Sequence, residues 1–188
     1  QSALAVGQVV SSLGEVAGEL CSTGQHWDWN GVQLAVLHPE KNDYDEKRKS
    51  NNLSCVLRIE AGGKRMLLTS DIEARDEAAL VQRDAAALRA DVLLMPHHGS
   101  RTSSTPGFIE AVGASEVVIP VGYRNRFGHP KVEVVERYAT TGARVWRTDR
   151  DGAVMIRLAG TGDGIEAWRQ TRQRYWHQTE SRVIPGQH

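Results

Sequence analysis

The sequence predicts a mixed α/β fold, in which a β-sheet is covered by helices. In the second half of the chain, short apolar runs with the length of strands alternate with amphipathic segments that have the period of a helix. In the first half, alternating apolar residues around a glycine turn are typical of antiparallel hairpins. The chain has 188 residues, of which 40% are hydrophobic and 24% are charged, which is ordinary for a globular protein.

The first half of the chain predicts strands joined by polar segments. Residues 31–37 (GVQLAVL) alternate with the period of a half-buried strand. The charged segment 38–52 has no periodicity and is predicted to be a long exposed loop. Residues 53–71 (LSCVLRIEAGGKRMLLTSD) then predict a hairpin that turns at Gly62 and Gly63.

Helices and buried strands alternate in the second half. Residues 73–89 are rich in Ala, Leu, Glu and Arg, and they predict an amphipathic helix. Continuous apolar runs at 90–96 and 115–122 predict strands that are buried on both faces. Together with the antiparallel hairpins, the alternation indicates a mixed α/β sheet covered by helices.

Two prolines mark the starts of two further predicted helices. Thr105 and Pro106 are the residue types favoured at the N-cap and at the first helical position. Pro130 is likewise predicted to open a helix, which is expected to end at Gly142.

The last part of the chain predicts two strands and a tail. The strands at 143–148 and 151–159 are expected to meet at the turn DRDG. We therefore assign residues 1–159 to one domain and residues 160–188 to a basic, weakly ordered C-terminal tail.

Charge and cysteine content limit the possible classes of function. Lys+Arg and Asp+Glu both number 23, so the formal net charge is zero, which argues against a broad basic surface but leaves a local positive groove open. Cys21 and Cys55 are too few for a disulfide scaffold and too far apart for a CxxC zinc motif. Buried free thiols are the simpler interpretation, and a single disulfide stays open for an oxidising compartment.

Polar residues follow the apolar strands at their carboxyl ends, where open α/β sheets usually build their sites. Asp71 ends the run LLTSD, and taken alone it is equally well explained as a helix N-cap. His97 and His98 follow the next strand and precede Gly99 and Ser100. Neutral imidazole is a common ligand of Zn²⁺, although a single histidine beside a core is more often structural.

The loop YRNRFGHP at 123–130 carries Arg124, Asn125, Arg126 and His129. Such a cluster at one strand end suits a phosphate or an oxyanion. His129 alone is equally well explained as the residue before a helix. The loop is therefore a candidate for substrate binding.

Asparagines occupy the entry to the predicted hairpin, where turn chemistry alone explains Asn51 and Asn52. An aspartate and several histidines at the ends of different strands are nevertheless the ligands with which a two-metal hydrolase holds an activated water for phosphoester cleavage. Other mechanisms fit less well, because the sequence has no GxSxG elbow, no activating basic neighbour of either cysteine and no phosphate-binding glycine loop.

The order and spacing of these motifs resemble the metallo-β-lactamase-like domain of ComEC-type competence (DNA internalisation) proteins. The resemblance covers roughly residues 30–157 and rests on LLTSD, PHHGS and NRFGHP in this order, preceded by WNGVQLAVLHP and NNLSCVLRI. It implies a metallo-β-lactamase-like αββα sandwich, of which this chain holds the C-terminal half and the end of the N-terminal half.

The resemblance also implies roles for individual residues. Asp71 matches the metal-bridging aspartate, and His97 and His98 match the late histidine motif, so these three would be the ligands of a divalent metal, Mn²⁺ or Zn²⁺. His129 matches the loop that lines the same cleft. The implied catalytic residues are therefore Asp71, His97, His98 and His129.

The remaining implied site residues bind substrate. They share a position in the loops beside the histidines, and they are Ser100, Arg124, Asn125 and Arg126. Asn51 and Asn52 lie where such proteins usually place a further ligand histidine, so one metal site is weakened.

The HxHxDH signature of this family is absent from the sequence, and we expect it before residue 1. The chain is thus predicted to be a fragment of a longer membrane protein, with an incomplete metal site and no activity of its own. It is also expected to expose a sheet edge that the missing strands would cover.

The resemblance implies a function in natural transformation, as part of an inner-membrane DNA-uptake protein whose domain is a metal-dependent nuclease acting on the non-transported strand. The implied partners are single-stranded DNA, the rest of the parent membrane protein and the competence DNA-uptake machinery. The resemblance favours the periplasm for this domain. The alternative is a non-catalytic module that binds DNA or gates the channel, with a degenerate metal site.

Overall fold

The computed structural model describes residues 19–45, 48–158 and 164–172. Seven strands form one mixed sheet. They are β1 (His26–Trp29), β2 (Val32–His38), β3 (Val56–Ala61), β4 (Lys64–Leu68), β5 (Val92–Leu94), β6 (Glu116–Ile119) and β7 (Arg144–Arg147). A second, antiparallel sheet pairs β8 (Val154–Arg157) with β9 (Gly164–Ala167). The helices are α1 (Ala74–Asp84), α2 (Pro106–Val112), α3 (Val132–Ala139) and the single turns α4 (Thr148–Asp151) and α5 (Trp168–Thr171).

The strands of the large sheet lie in the order in which they occur in the sequence. β1 to β4 are antiparallel neighbours, whereas β4 to β7 are parallel. The helices α1, α2 and α3 make the three crossover connections between the parallel strands. The predicted mixed α/β fold is therefore confirmed, together with the hairpin that turns at Gly62 and Gly63 and the helix that starts at Pro106.

The three crossover helices cover one face of the large sheet. Leu80 of α1, Phe108 of α2 and Tyr138 of α3 share one core with Leu67 and Leu93 from the strands, and each is at most 3% exposed. Burying a large apolar side chain of this kind contributes about 1.5–3 kcal/mol. This core fixes the helices, and hence the strand-end loops that lead into them.

The small sheet covers the opposite face. Val92 and Val118 point away from the helices, because successive residues of a strand face opposite sides. They pack with Trp146, with Ala167 and with the partly buried Ile156 of the small sheet. The strands β5 and β6 are thus buried on both faces, as their continuous apolar runs predicted, and the layers run helix, sheet, sheet.

The last two predicted strands do not pair with each other. β7 is the edge of the large sheet, whereas β8 belongs to the small sheet, and α4 connects the two. The partner of β8 is β9, which lies inside the predicted tail, and Ala167 of β9 is only 1% exposed. Residues 164–167 therefore pack as part of the small sheet. Residues 160–163 and 173–188 lie outside the described residues.

Pro130 does not open a helix, contrary to the prediction. The helix α3 starts at Val132, because Lys131 has an extended backbone (φ −74°, ψ 137°) and its N–H donates to the carbonyl of Gly99 (3.0 Å). The helix ends at Ala139, before the predicted end at Gly142.

The segment between β2 and β3 is not the exposed loop that its charge predicts. It contains the 3-10 turns Lys41–Tyr44 and Ser50–Leu53. His38 is 1% exposed and Asn52 is 9% exposed, and His38 Nε2 donates to the Asn52 carbonyl (2.9 Å). The Asn52 amide in turn donates to a carboxylate oxygen of the buried Asp76 (2.7 Å). These bonds hold the segment against α1.

Cys21 and Cys55 form a disulfide, which corrects the interpretation as free thiols. The bond joins the segment before β1 to the residue that precedes β3. Cys55 lies beside the candidate site, because its carbonyl accepts a hydrogen bond from Ser70 Oγ (3.0 Å). The two cysteines are brought together because β2 and β3 are adjacent antiparallel strands. The spacing of the cysteines in the sequence does not reveal this strand pairing.

Removing the disulfide is expected to lower the free energy of unfolding by about 3–4 kcal/mol, because a cross-link over 34 residues restricts the unfolded chain. The Cys21→Ser/Cys55→Ser double variant, unfolded in denaturant beside the oxidised wild type, measures the loss. A reducing agent should bring the wild type to the stability of the variant. Equal stability of variant and oxidised wild type would contradict the prediction.

Within the described ranges, no helix combines the length and the apolar character that a bilayer span requires.

Candidate active site

The carboxyl ends of β4, β5 and β6 meet at one edge of the sheet, because these strands are parallel. Asp71 follows β4, His97 and His98 follow β5, and residues 120–130 follow β6. The His97 N–H donates to the Ser70 carbonyl (2.9 Å), which ties the second loop to the first. The structure therefore brings the three predicted segments together.

The two histidines have a left-handed backbone, with φ of 48° at His97 and 55° at His98, followed by Gly99 at 79°. Such angles are uncommon for residues other than glycine, and each costs about 1–3 kcal/mol. The surrounding bonds hold this turn, which directs the two neighbouring imidazoles to different partners.

His98 and Asp71 form a pair, with 3.4 Å between His98 Nε2 and Asp71 Oδ1. His98 Nδ1 lies 2.6 Å from the Pro120 carbonyl, so Nδ1 carries a proton and donates it there. In the neutral ring, the Nε2 lone pair then faces the carboxylate. Two electron donors at this distance need a cation or a proton between them, and a backbone carbonyl that orients the ring is how metal-ligating histidines are usually held.

His97 is surrounded by protein groups. Its Nε2 lies 3.5 Å from Asn51 Nδ2, and its Nδ1 lies 3.2 Å from Thr102 Oγ1. Thr102 Oγ1 donates to Glu73 Oε1 (3.3 Å), so the polar chain ends at a carboxylate. Both ring nitrogens of this predicted metal ligand therefore have partners in the protein. Asn51, at the position where the resemblance places a further ligand, contacts the His97 ring instead.

The His129 ring lies between the histidine turn (residues 97–99) and the ring of Phe127. Its ring centroid is 6.2 Å from that of His97 and 6.0 Å from that of Phe127. Its Nδ1 is buried and has no hydrogen-bond partner among the described residues. Burial lowers the pKa of His129, and the nearby Lys131, His97 and His98 lower it further, which favours the neutral ring.

Two of the predicted substrate-binding side chains are engaged within their own loops. Ser100 is 7% exposed, and its hydroxyl lies 3.1 Å from Thr102 Oγ1. The Asn125 amide donates to the His129 carbonyl (2.7 Å) and accepts from the His129 N–H (3.0 Å). These contacts position the loops. The other two, Arg124 and Arg126, are exposed.

Glu77 on α1 supports the site and was not indicated by the sequence analysis. It is fully buried, and its two oxygens accept from the N–H groups of Ser104 (2.5 Å) and Thr105 (2.8 Å). Burial raises the pKa of Glu77, while these hydrogen bonds oppose the shift. An acidic residue three positions before Leu80, on the apolar face of the helix, was the signal that could have revealed it.

The donor set fits a divalent metal only in part. In the portion of the chain that the structure describes, no group of three or more His, Cys, Asp or Glu side chains is placed to hold a metal ion. Asp71 and His98 supply two donors, whereas a catalytic zinc site uses three protein ligands and an open position. No catalytic step through a metal follows from these two residues alone.

Fold and strand-end site together define a mixed α/β protein whose polar residues gather at the carboxyl ends of parallel strands. A putative zinc-dependent hydrolase of the metallo-β-lactamase superfamily from Thermotoga maritima aligns with a TM-score of 0.34 and 14% sequence identity, covering 63% of this chain and 57% of its own. No protein-family model matches the chain.

The chain is homologous to the ComA/ComEC competence proteins over most of its length, which confirms the resemblance seen in the sequence. It is 38% identical to competence protein ComA of Neisseria gonorrhoeae over 154 residues, or 81% of this chain and 21% of that protein. It is 35% identical to ComE operon protein 3 of Bacillus subtilis over 142 residues, or 76% of this chain and 18% of that protein. Recombination protein 2 of Haemophilus influenzae is 30% identical over 77% of this chain and 18% of its own length. The chain thus spans about a fifth of the curated relatives that it matches.

Proposed function

We propose that this chain is part of a DNA-uptake protein and supplies the second half of a metal-dependent nuclease domain that acts on the non-transported strand. The homology to competence proteins supports the DNA-uptake context. The observation that carries the nuclease assignment is the Asp71–His98 pair, in which a carboxylate oxygen and an oriented imidazole nitrogen lie 3.4 Å apart at the carboxyl ends of parallel strands.

In this proposal, Asp71 and His98 hold one divalent ion, and further ligands come from another part of the parent protein. A metal bound there would polarise a phosphodiester and activate water. The residues of this chain have separate tasks. The Pro120 carbonyl fixes the tautomer of His98, and the exposed Arg124 and Arg126 offer positive charge to backbone phosphates.

We place the domain in the periplasm, with single-stranded DNA, the rest of the parent protein and the competence machinery as partners. The Cys21–Cys55 disulfide supports this location, because disulfides persist in oxidising compartments and are rare in the cytosol.

The test is the Asp71→Asn substitution in the full-length parent protein. It replaces a carboxylate oxygen by a weak amide ligand of the same shape, so Mn²⁺-dependent degradation of single-stranded DNA should fall at least about 100-fold. Glu110→Gln, which changes an exposed carboxylate on α2, is the matched control and should retain the activity of the wild type. Cleavage by the Asp71→Asn protein at the wild-type rate would remove the metal-site assignment.

A second candidate is a non-catalytic module that binds DNA or gates the channel. The contact between Asn51 Nδ2 and His97 Nε2 (3.5 Å) favours it, because an amide directs its N–H towards the nitrogen that a metal would need. Binding of DNA without cleavage by the full-length wild type, in Mn²⁺ and in Zn²⁺, would select this candidate over the nuclease.

A further inference from the structure

We propose that Tyr123 and Phe127 form a stacking platform for the unpaired bases of a single-stranded nucleic acid, beside the candidate active site. Cleavage of the bound strand rests on the proposed function, whereas binding of the strand needs no metal. The two rings belong to the loop between β6 and α3.

The two rings are exposed on a polar loop. Tyr123 is 62% exposed and Phe127 is 60% exposed, and neither belongs to the hydrophobic cores. Both rings leave apolar area in water, and an exposed aromatic face is a surface on which an unpaired base can stack. Replacing either ring should therefore leave the fold unchanged.

The surroundings of the rings are positively charged. The guanidinium carbon of Arg124 lies 5.2 Å from the centre of the Tyr123 ring, and that of Arg126 lies 4.8 Å from the Phe127 ring. Residues 120–132 contain these two arginines and Lys131 but no Asp or Glu. A planar group already approaches each ring, and nearby cations can neutralise phosphates, which is the combination that single-strand binding proteins use.

The Phe127 ring connects the platform to the candidate site through His129. The Phe127 and His129 rings are nearly parallel, with 17° between their planes and 6.0 Å between their centres. The centre of the His129 ring is in turn 6.2 Å from that of His97, the residue before His98. A base stacked on Phe127 would thus bring its own phosphates towards the Asp71–His98 pair.

The loop is held in place before any ligand binds. The Asn125 side chain forms hydrogen bonds with both the carbonyl and the N–H of His129. The Gly128 N–H donates to the Asn125 carbonyl (3.1 Å). Lys131 Nζ donates to the Phe127 carbonyl (2.9 Å). Binding therefore has less loop entropy to overcome, which favours affinity.

Stacking distinguishes the proposed ligand from other polyanions. Bases in a duplex are covered by their neighbours, so a duplex could reach only the arginines. A bilayer surface also accepts aromatic and cationic side chains. From Phe127, however, the rings continue to the polar imidazoles of His129 and His97, which favours a nucleic acid over a bilayer.

The experiment measures binding of the 188-residue chain to labelled oligothymidylate by fluorescence anisotropy, in EDTA and at low salt. An abasic oligonucleotide of equal length and a duplex are the comparison ligands. Tyr123→Leu and Phe127→Leu should each weaken oligothymidylate binding by about 10-fold, and leave abasic and duplex binding unchanged. Trp29→Leu, which removes a still more exposed aromatic ring on β1 at the far edge of the sheet, should bind as the wild type does.

A positive signal comes from Phe127→Trp, which should keep the affinity and show indole fluorescence quenched by oligothymidylate but not by the abasic strand. The platform is overturned if the leucine variants bind oligothymidylate like the wild type or lose affinity for all three ligands equally. It is also overturned if the wild type binds phosphatidylglycerol vesicles and not oligothymidylate. EDTA removes divalent metal, so binding is measured separately from metal-dependent cleavage. Loss of base stacking with intact cleavage would overturn the platform alone. Intact base stacking without cleavage would overturn the nuclease assignment alone.

Discussion

Replacing Gly99 with alanine is expected to lower the free energy of unfolding by about 3 kcal/mol or more. A Cβ at this position would lie 2.6 Å from Pro130 Cβ and 3.1 Å from both Pro130 Cα and Met95 Sδ. Overpacking of this kind costs about 1–3 kcal/mol, and the left-handed backbone (φ +79°) adds about 1–3 kcal/mol for a residue with a side chain. Denaturant unfolding of the variant beside the wild type measures the loss.

Gly107 provides the matched control. It lies in α2, has no left-handed backbone, and a Cβ there would meet no atom within 4 Å. Gly107→Ala is therefore expected to stabilise the chain by about 0.5–1 kcal/mol, the opposite sign. If both alanine variants shifted the unfolding midpoint equally, close packing of the histidine turn against Pro130 would not be the cause.

Replacing Glu77 with alanine is expected to cost about 3 kcal/mol. The substitution leaves the N–H groups of Ser104 and Thr105 without their acceptors, and Ser104 is fully buried. Each buried donor without an acceptor costs about 1–3 kcal/mol. The loss of these hydrogen bonds should also loosen the candidate active site, because the same loop carries Thr102, which contacts His97.

Two further variants separate the role of Glu77 from a general effect of charge. Glu77→Gln retains one carbonyl acceptor and should lose about 1–2 kcal/mol. Glu110→Ala removes an exposed carboxylate from α2 and should stay within about 0.5 kcal/mol of the wild type. If Glu77→Ala, Glu77→Gln and the wild type had the same unfolding midpoint, the two hydrogen bonds of Glu77 would not stabilise the loop.

The second half of the fold was predictable because its signals are local. Apolar runs of strand length alternate with amphipathic helices, and this alternation permits few arrangements other than parallel strands with crossovers. The position of the candidate site follows from the same logic. Carboxyl ends of parallel strands lie at one edge, so the sequence alone predicts that Asp71, His97, His98 and His129 lie near one another.

Long-range pairing explains what the sequence could not reveal. The Cys21–Cys55 bond depends on how β2 lies against β3, and the burial of Asn52 depends on its bond to Asp76 across the fold. β1 was also missed, because all four of its residues are exposed and carry no apolar alternation with a buried face. The asparagine–glycine turn that follows it was the available signal.

Within the site, the sequence indicated the residue types but not their partners. Two adjacent histidines look equivalent in the sequence, yet a left-handed turn directs His98 to Asp71 and Pro120, and His97 to Asn51 and Thr102. Backbone angles of this kind are imposed by surrounding hydrogen bonds, and residue type alone does not specify them.

The sequential strand order has a consequence for how the molecule is made. Every strand from β2 to β7 pairs with the one that precedes it in the sequence, so a nascent chain can extend a growing edge as each segment emerges. Both cysteines lie before β5, and their bond can therefore form while the parallel half is still unsynthesised. Co-translational assembly would then proceed in one direction, and the three loops of the candidate site would be completed one after another.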